Sequence, residues 1–415
     1  MQPVPKTKDK NKYNKNPVFS VPGLVALFLA IAPVMDPYII ASIGTGFTIR
    51  ANDFLILFLC VMLLGKSKKF NLRYGFLLAW CLIFLIFTIL AIIGIDKQLD
   101  YLLSFKCIFL WSFYAIAINI LWQGTERNKF FVYVEYIALF AAIVVIWQFI
   151  AGNIGIRAWD GRLPGLPLGK YDTWSGYIDR NTGDIRPCGI FQESSYVGIY
   201  FLVALANAIM GNKLYKALLF AAVLFMSSSM IAVFGCLIVT IYLMVFGKKL
   251  GISDKTIKRL MLFVVIATVL LILLIMHSES VRSTFLYIQR RTTNIEADLN
   301  RERSNSAQIR ILGNIDKFPD YQLWQKLFGV GTAQYSSYFN VISYSNVFVT
   351  LTLNHGILGI CCFIVCLISL HKRIPTYNKV FFLITMIIFA TDLQWFNWYF
   401  FYMLTACILP KRACT

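Results

Sequence analysis

Residues Ala217–Phe246 read ALLFAAVLFMSSSMIAVFGCLIVTIYLMVF, a stretch without a charged side chain, interrupted once by Ser227-Ser228-Ser229. A membrane-crossing helix needs roughly 20 apolar residues, so this run is too long for one crossing and reads as two helices joined by a serine turn. Val380–Leu409 has the same character and is interrupted by Asp392-Leu393-Gln394. Outward from these two hairpins, single apolar runs recur at Val18–Met35, Tyr74–Ile95, Tyr101–Leu121, Phe130–Ala151, Gly189–Met210, Leu260–Met276 and Val347–Leu370. Phe54–Leu64 is short and reaches crossing length by borrowing Phe47–Asp53. The expectation is an all-α, polytopic integral membrane protein with about 12 transmembrane helices.

Composition points the same way. The chain of 415 residues is 58% hydrophobic and 14% charged, with mean hydropathy +0.67. Soluble domains are about 45–50% apolar and about 25% charged, which excludes an ordinary water-soluble enzyme. The net charge of +19, from 39 Lys and Arg against 20 Asp and Glu, would suggest nucleic acid as partner in a soluble protein. Its distribution removes that reading. With the N-terminus inside, the connections on that side hold 23 basic residues against three acids, and the outer ones 15 against 14. Short basic connections mark the cytoplasmic side. Both termini are therefore expected there, with the excess facing anionic lipid and no nucleic acid involved.

The basic start MQPVPKTKDKNKYNKN lacks a small-residue cleavage site and reads as a retained tail, residues 1–17. A single transmembrane domain then covers 18–410, followed by a short tail, 411–415. Most of the ten cysteines lie inside apolar runs, with no C-x-x-C pair beside a His cluster. Neither disulfides, zinc nor a redox pair is expected. Two outer connections are long, 152–188 and 277–346, the second with helical character. Loops of this length without low complexity usually carry function.

Three stretches carry candidate chemistry. In RPCGIFQESSYVGIY (Arg186–Tyr200), Arg186 closes the first long loop and Glu193 falls in the outer end of the next span. An acid there is costly and is a functional candidate by default; the alternative is a simple ion pair with Arg186. In QIRILGNIDKFPDYQLWQKLFGVGTAQYSSYF, Arg310 precedes the turn Gly329-Val330-Gly331. That turn reads as a backbone elbow returning the chain to the membrane surface, without the strand context of a dinucleotide-binding loop. In SYSNVFVTLTLNHGILGI, Asn346 stands at the entrance of a late span and His355 within it.

Arg50 and Asp53, in FTIRANDF, either join the same cavity or anchor the interface. In the first long loop, Trp159, Tyr171, Trp174 and Tyr177 alternate with Asp160, Asp172 and Asp179. They either stack on sugar rings or form an interfacial aromatic belt. Arg290, Arg291, Arg301 and Arg303 either hold an anionic substrate or form a solvated helix face. Lys106, Glu135 and Asp392 are the remaining charges in the spans and do not form the buried relay of an ion-coupled pump.

The motifs Arg186-x-x-Gly189-x-Phe191-x-Glu193, Arg310 ahead of Gly329 and Gly331, and Asn346 ahead of Gly356-Ile357-Leu358-Gly359 resemble one known family. This is the bacterial O-antigen ligase and polysaccharide polymerase superfamily of integral membrane glycosyltransferases. The ligase branch commonly carries a histidine beside the asparagine, where this chain has Ser343-Tyr344-Ser345-Asn346, so the polymerase branch is the closer resemblance. It implies a GT-C-like architecture in a bacterial cytoplasmic membrane. The implied substrate is a polyprenyl-diphosphate-linked oligosaccharide, polymerised at the outer face, with membrane lipids and a chain-length regulator as partners.

A leaving diphosphate needs its developing charge stabilised, which guanidinium groups do bidentately without a metal. Arg186 and Arg310 are the expected catalytic cations and Glu193 the expected general base, with no cofactor. Arg50, Asn346, His355, Trp159 and Trp174 are the expected substrate-binding residues. A lipid-linked oligosaccharide transporter is the competing reading; it predicts internal repeats, and none is visible in the sequence.

Overall fold

The structure, a computed structural model, describes residues 20–43, 47–65, 75–95, 97, 99–168, 174, 176–178, 183–293, 313–341 and 345–410. The tails expected at 1–17 and 411–415 lie outside the described residues. The apolar runs fold as helices, most of them within a few residues of where the sequence put them. In order these are α1 (Val21–Met35), α2 (Ala51–Leu64), α3 (Phe76–Gly94), α4 (Tyr101–Gln123), α5 (Arg127–Asn153) and α6 (Ser194–Met210). Next come α7 (Leu214–Met226), α8 (Met230–Phe246), α9 (Asp254–His277) and α10 (Glu279–Thr293). The chain continues through α11 (Leu323–Phe328), α12 (Tyr335–Phe339), α13 (Val347–Arg373), α14 (Lys379–Thr391) and α15 (Trp398–Ile408).

Polar caps start several of the apolar helices. Ser20, Asp100, Ser253, Asn346 and Asn397 each accept a backbone N–H from the first turn of α1, α4, α9, α13 and α15, satisfying donors the helix itself cannot pair. Both long runs break where polar residues interrupt them: α7 ends before Ser227, and α14 ends before Asp392.

One expectation is met in part and two change. Among the described residues six helices are long and apolar enough to cross a membrane: α3, α4, α5, α8 with its one-turn extension to Leu250, α9 and α13. Six further apolar helices, among them α1, α2, α6, α7 and α15, are shorter, so length alone accounts for six of the 12 expected spans. The chain is also not purely helical. Ile39–Ile43 (β1) pairs antiparallel with Phe47–Arg50 (β2). Of the stretch expected to lengthen the second span, Ala51–Asp53 do open α2, whereas Phe47–Arg50 form a strand, as their β-branched and aromatic residues favour. Finally, α6 begins at Ser194 rather than Gly189, because Gly189 stands at φ 60° and its backbone is bonded elsewhere.

Two of the shorter helices, α6 and α15, lie at the centre, and the long helix α9 lies at the periphery. Every residue of α15 is buried, and so is almost all of α6, whereas α9 buries only 6% of its apolar window. The connections meet in two separate sets at opposite ends of the bundle. At the short-loop end, Lys129 Nζ donates to Ser20 Oγ (3.3 Å), and Thr256 Oγ1 to Asn212 Oδ1 (3.2 Å). There Glu135, reached from α5, takes both Lys213 (2.6 Å) and Lys216 as partners. At the long-loop end, Ile39 N donates to Pro167 O (2.9 Å), Ser228 Oγ to Ile185 O (3.4 Å) and Gln334 Nε2 to Asp100 O (2.7 Å).

Candidate functional site

The long-loop end is organised by Gln148, a fully buried side chain near the end of α5. Its Oε1 accepts the N–H groups of Cys188 (3.0 Å) and Gly189 (2.8 Å), and its Nε2 donates to the carbonyls of Gly189 (3.1 Å) and Trp159 (2.9 Å). One carboxamide thus joins two parts of the first long loop to the helix beneath. Gly161 completes the joint: a Cβ there would overlap the Gly189 carbonyl, so only glycine allows the approach.

This clamp sets the entrance to α6. Glu193 is the N-cap of that helix, one position outside it rather than within the span. The Glu193 carboxylate accepts a hydrogen bond from Ser195 Oγ, and Arg186 Nη2 donates to Ser194 Oγ at 3.0 Å. Arg186 and Glu193, both half-buried, are thereby held on consecutive serines of one helix start. Tyr287 of α10 lies over the arginine, its ring centroid 6.0 Å from Arg186 Cζ. Beside them a polar cavity of about 130 Å³ is bordered by Asn153, Asp184, Ser228, Ser283, Thr284 and Tyr287.

Arg50 and Asp53 belong to the same end. Arg50 Nη1 donates to the Asp36 carbonyl (2.6 Å) and stands 3.9 Å from its carboxylate, while its backbone N–H caps onto Asp53 Oδ2 (2.9 Å). Tyr114 OH donates to Asp53. Tyr196, in the first turn of α6, stacks on Tyr399 at 4.6 Å, and the adjacent Trp398 packs on Tyr114 at 5.7 Å, so the N-terminal end of α15 links the Arg186 and Arg50 groups.

The two tryptophans of the loop divide. Trp174 is 9% exposed, its indole N–H bonded to Asp160 O (2.9 Å) and its ring tilted against buried Tyr38 at 6.1 Å. Trp159 is 40% exposed. Burial pushes the Tyr38 phenol above its ordinary value, against the lowering effect of its bond with Leu163 N. Burial, with Asp160 nearby, pushes the Cys188 thiol up to about 12.

The Gly329–Gly331 turn does not simply return the chain to the membrane surface. It docks into a break in α13 at Gly356, whose φ of 66° and ψ of −172° interrupt the helix. Gly331 N donates to Asn354 O (2.8 Å), and Asn354 Oδ1 accepts from Gln334 N and Tyr335 N, both at 3.2 Å. A Cβ on Gly329 would overlap the Asn354 backbone, and one on Gly356 that of Leu327. The elbow is fastened to α3 and α4 by Thr332 N to Thr88 Oγ1 (3.1 Å), Ser104 Oγ to Thr332 O (2.7 Å) and Gln334 Nε2 to Ser104 Oγ (2.9 Å). Irregular backbone inside a helix bundle needs such partners.

His355, at this break, is 1% exposed and stacks on Phe84 with ring centroids 4.5 Å apart; neither ring nitrogen has a hydrogen-bond partner. It belongs to the elbow, and Asn346 serves as the cap of α13 through Val349 N (2.9 Å). Arg310, Arg301, Arg303, Tyr171, Asp172 and Asp179 lie outside the described residues, and the structure describes nothing of the Arg290 and Arg291 side chains. Asp392 is buried at the end of α14. Among the described residues the nine cysteines are free thiols, and no group of three His, Cys, Asp or Glu side chains is placed to hold a metal.

No family model, curated protein or solved structure matches this chain.

Sequence reading missed Gln148, Asp36, Tyr287 and the network of Thr88, Ser104, Thr332, Gln334 and Asn354. Gln148 carried a usable signal, as an uncharged amide inside the apolar stretch VVIWQFIAG. A buried amide must find partners, so its presence there announced a bonded hub.

Proposed function

We propose that the chain is a polysaccharide polymerase. It joins polyprenyl-diphosphate-linked oligosaccharide units at the outer face of a bacterial cytoplasmic membrane, with the long-loop end outward and both termini inside. The shorter apolar helices complete 12 crossings with the help of their flanking turns. The observation that carries this reading is the fixing of Arg186 and Glu193 on Ser194 and Ser195 at the start of α6.

A hydroxyl of the incoming unit attacks the anomeric carbon of the growing glycan. The new glycosidic bond forms as the bond to the diphosphate breaks, and polyprenyl diphosphate leaves. Glu193 takes the hydroxyl proton. Arg186, with Arg310, neutralises the charge that accumulates on the diphosphate oxygens, so neither metal nor cofactor is required. Serine hydroxyls that hold both groups before substrate arrives lower the cost of ordering them in the transition state. A chain-length regulator is the expected partner.

The break in α13 supports a second reading, a transporter of lipid-linked oligosaccharide, because discontinuous helices commonly form transporter binding sites. Purified protein incubated with its lipid-linked repeat unit, and no other enzyme, separates the two. A ladder of glycans supports polymerisation. Unchanged substrate together with uptake into sealed vesicles supports transport and sinks the polymerase.

A further inference from the structure

Two hollows flank Trp159 at the long-loop end. One, of about 650 Å³, is bordered by Arg157 and Tyr177; the other, of about 550 Å³, by Arg162 and Pro164; Trp159 and Asp160 line both. Pockets for small organic ligands typically measure about 300–1,000 Å³, so each hollow has room for one or more sugar rings.

The ring between them is held rigidly. The Trp159 indole N–H donates to Arg162 O (2.9 Å), and the Trp159 carbonyl accepts from Gln148. On one side, Ala158 N donates to Tyr177 OH (2.8 Å). On the other, the Asp160 carbonyl accepts from Trp174 Nε1 (2.9 Å) and from the Cys188 thiol (3.4 Å). A tryptophan that anchors a protein at a membrane interface keeps its N–H for the wet side. Here the N–H is used inside the loop, and the residue, still 40% exposed, has only its aromatic carbons to offer a ligand. A face fixed in advance loses little freedom when a ligand covers it.

The exposed groups around the ring, Arg157, Arg162 and Asp160, supply donors and acceptors for sugar hydroxyls. Among the described residues, two guanidinium groups to one carboxylate favour a glycan carrying acidic sugars. The wall of the first hollow is tied to the chain before α6, because the carbonyl of Tyr177 accepts the backbone N–H of Arg186 at 2.8 Å.

We infer that Trp159 is the stacking platform of a groove that binds an acidic glycan strand, one ring on the indole and its neighbours in the two hollows. That the strand is the growing product rests on the polymerase reading; that a glycan binds there does not.

The test is calorimetric titration of the purified full chain in detergent. The probes are the polysaccharide of the producing cells, freed of lipid by mild acid, and an oligoglucuronide and an oligoglucoside of equal length. Wild type is expected to prefer the acidic probes. Trp159→Ala should weaken binding about tenfold or more, and Trp159→Phe, which keeps an aromatic face, only about threefold. An unchanged melting temperature and continued protection of Cys188 show that each variant is folded. Equal affinity of Trp159→Ala and wild type, or no binding of any probe, overturns the groove. Glycan binding without a ladder in the polymerisation assay leaves the groove standing and removes the polymerase instead.

Discussion

Gln148 holds Gly189 from both sides, accepting its N–H at 2.8 Å and donating to its carbonyl at 3.1 Å. The same side chain also reaches Cys188 and Trp159, so the entrance to α6 and the floor of the Trp159 groove depend on one carboxamide.

Gln148→Leu should therefore destabilise the protein by roughly 3 kcal/mol, since two buried backbone N–H groups lose their acceptor at about 1–3 kcal/mol each. Cys188 reports the damage. With its pKa raised to about 12, the thiol stays protonated and resists a maleimide at pH 8, because the thiolate is the nucleophile. In Gln148→Leu it should become labelled, as read by mass spectrometry. The sign follows from the direction of the shift. The protonated thiol contributes stability below its ordinary value near 9, and that contribution declines as pH rises towards 12.

Gly356→Ala tests the docking of the elbow. Its backbone conformation is essentially restricted to glycine, which alone costs an alanine about 1–3 kcal/mol, and the Cβ would also overlap Leu327. Gly155, at φ 73° with open space around it, is the control. Gly155→Ala should cost about 1 kcal/mol, and Gly356→Ala distinctly more. Faster hydrogen exchange across Leu323–Tyr335 in Gly356→Ala alone is the expected readout; equal effects at both positions would remove the close-approach argument.

Glu135→Gln should leave Lys216, only 15% exposed, without its counter-charge at the short-loop end. Removing one partner of a buried pair costs about 3–5 kcal/mol; partial exposure of the lysines reduces this to roughly 2–3 kcal/mol. Lys216→Met in the Glu135→Gln background should recover much of the loss. A double-mutant cycle by thermal unfolding measures the coupling, and additive effects would show that the pair contributes nothing specific.

Arg186→Ala and Arg310→Ala should each abolish chain growth while insertion into the membrane continues. Arg186→Lys should restore little, because an ammonium lacks the planar fork. The readouts are glycan length on gels and protein level in isolated membranes. Wild-type ladders in Arg186→Ala would remove that residue from the mechanism.

The helices were legible because apolar length is a local property, and the polar breaks at Ser227–Ser229 and Asp392 are local too. Local pattern also misled. Length alone could not tell that the backbone leaves the helix between Gly189 and Glu193, since that depends on Gln148, 41 residues earlier in the chain. The hairpin Ile39–Arg50 and the docking of Gly329–Gly331 against Asn354 are likewise set by pairings between distant segments. Arg186 and Glu193 were found as charges near an apolar run, but Ser194 and Ser195, which hold them, carry no charge to attract notice.

The buried position of the short helix α15 has an electrical consequence. The buried helix α15 has 11 residues and is about 16 Å long at 1.5 Å per residue, about half the roughly 30 Å of a hydrocarbon core. In the proposed orientation α15 ends at the cytoplasmic, short-loop side, where Asn378 bonds the carbonyls of Cys407 and Leu409, and the candidate charged groups belong to the opposite, outer end. A charge crossing the whole field would change energy by about 2.3 kcal/mol per 100 mV, whereas Arg50, Asp36, Glu193 and Arg186 stay at the outer end throughout the proposed reaction and cross none of it. Collapsing the potential of energised vesicles should therefore leave the rate of glycan growth unchanged.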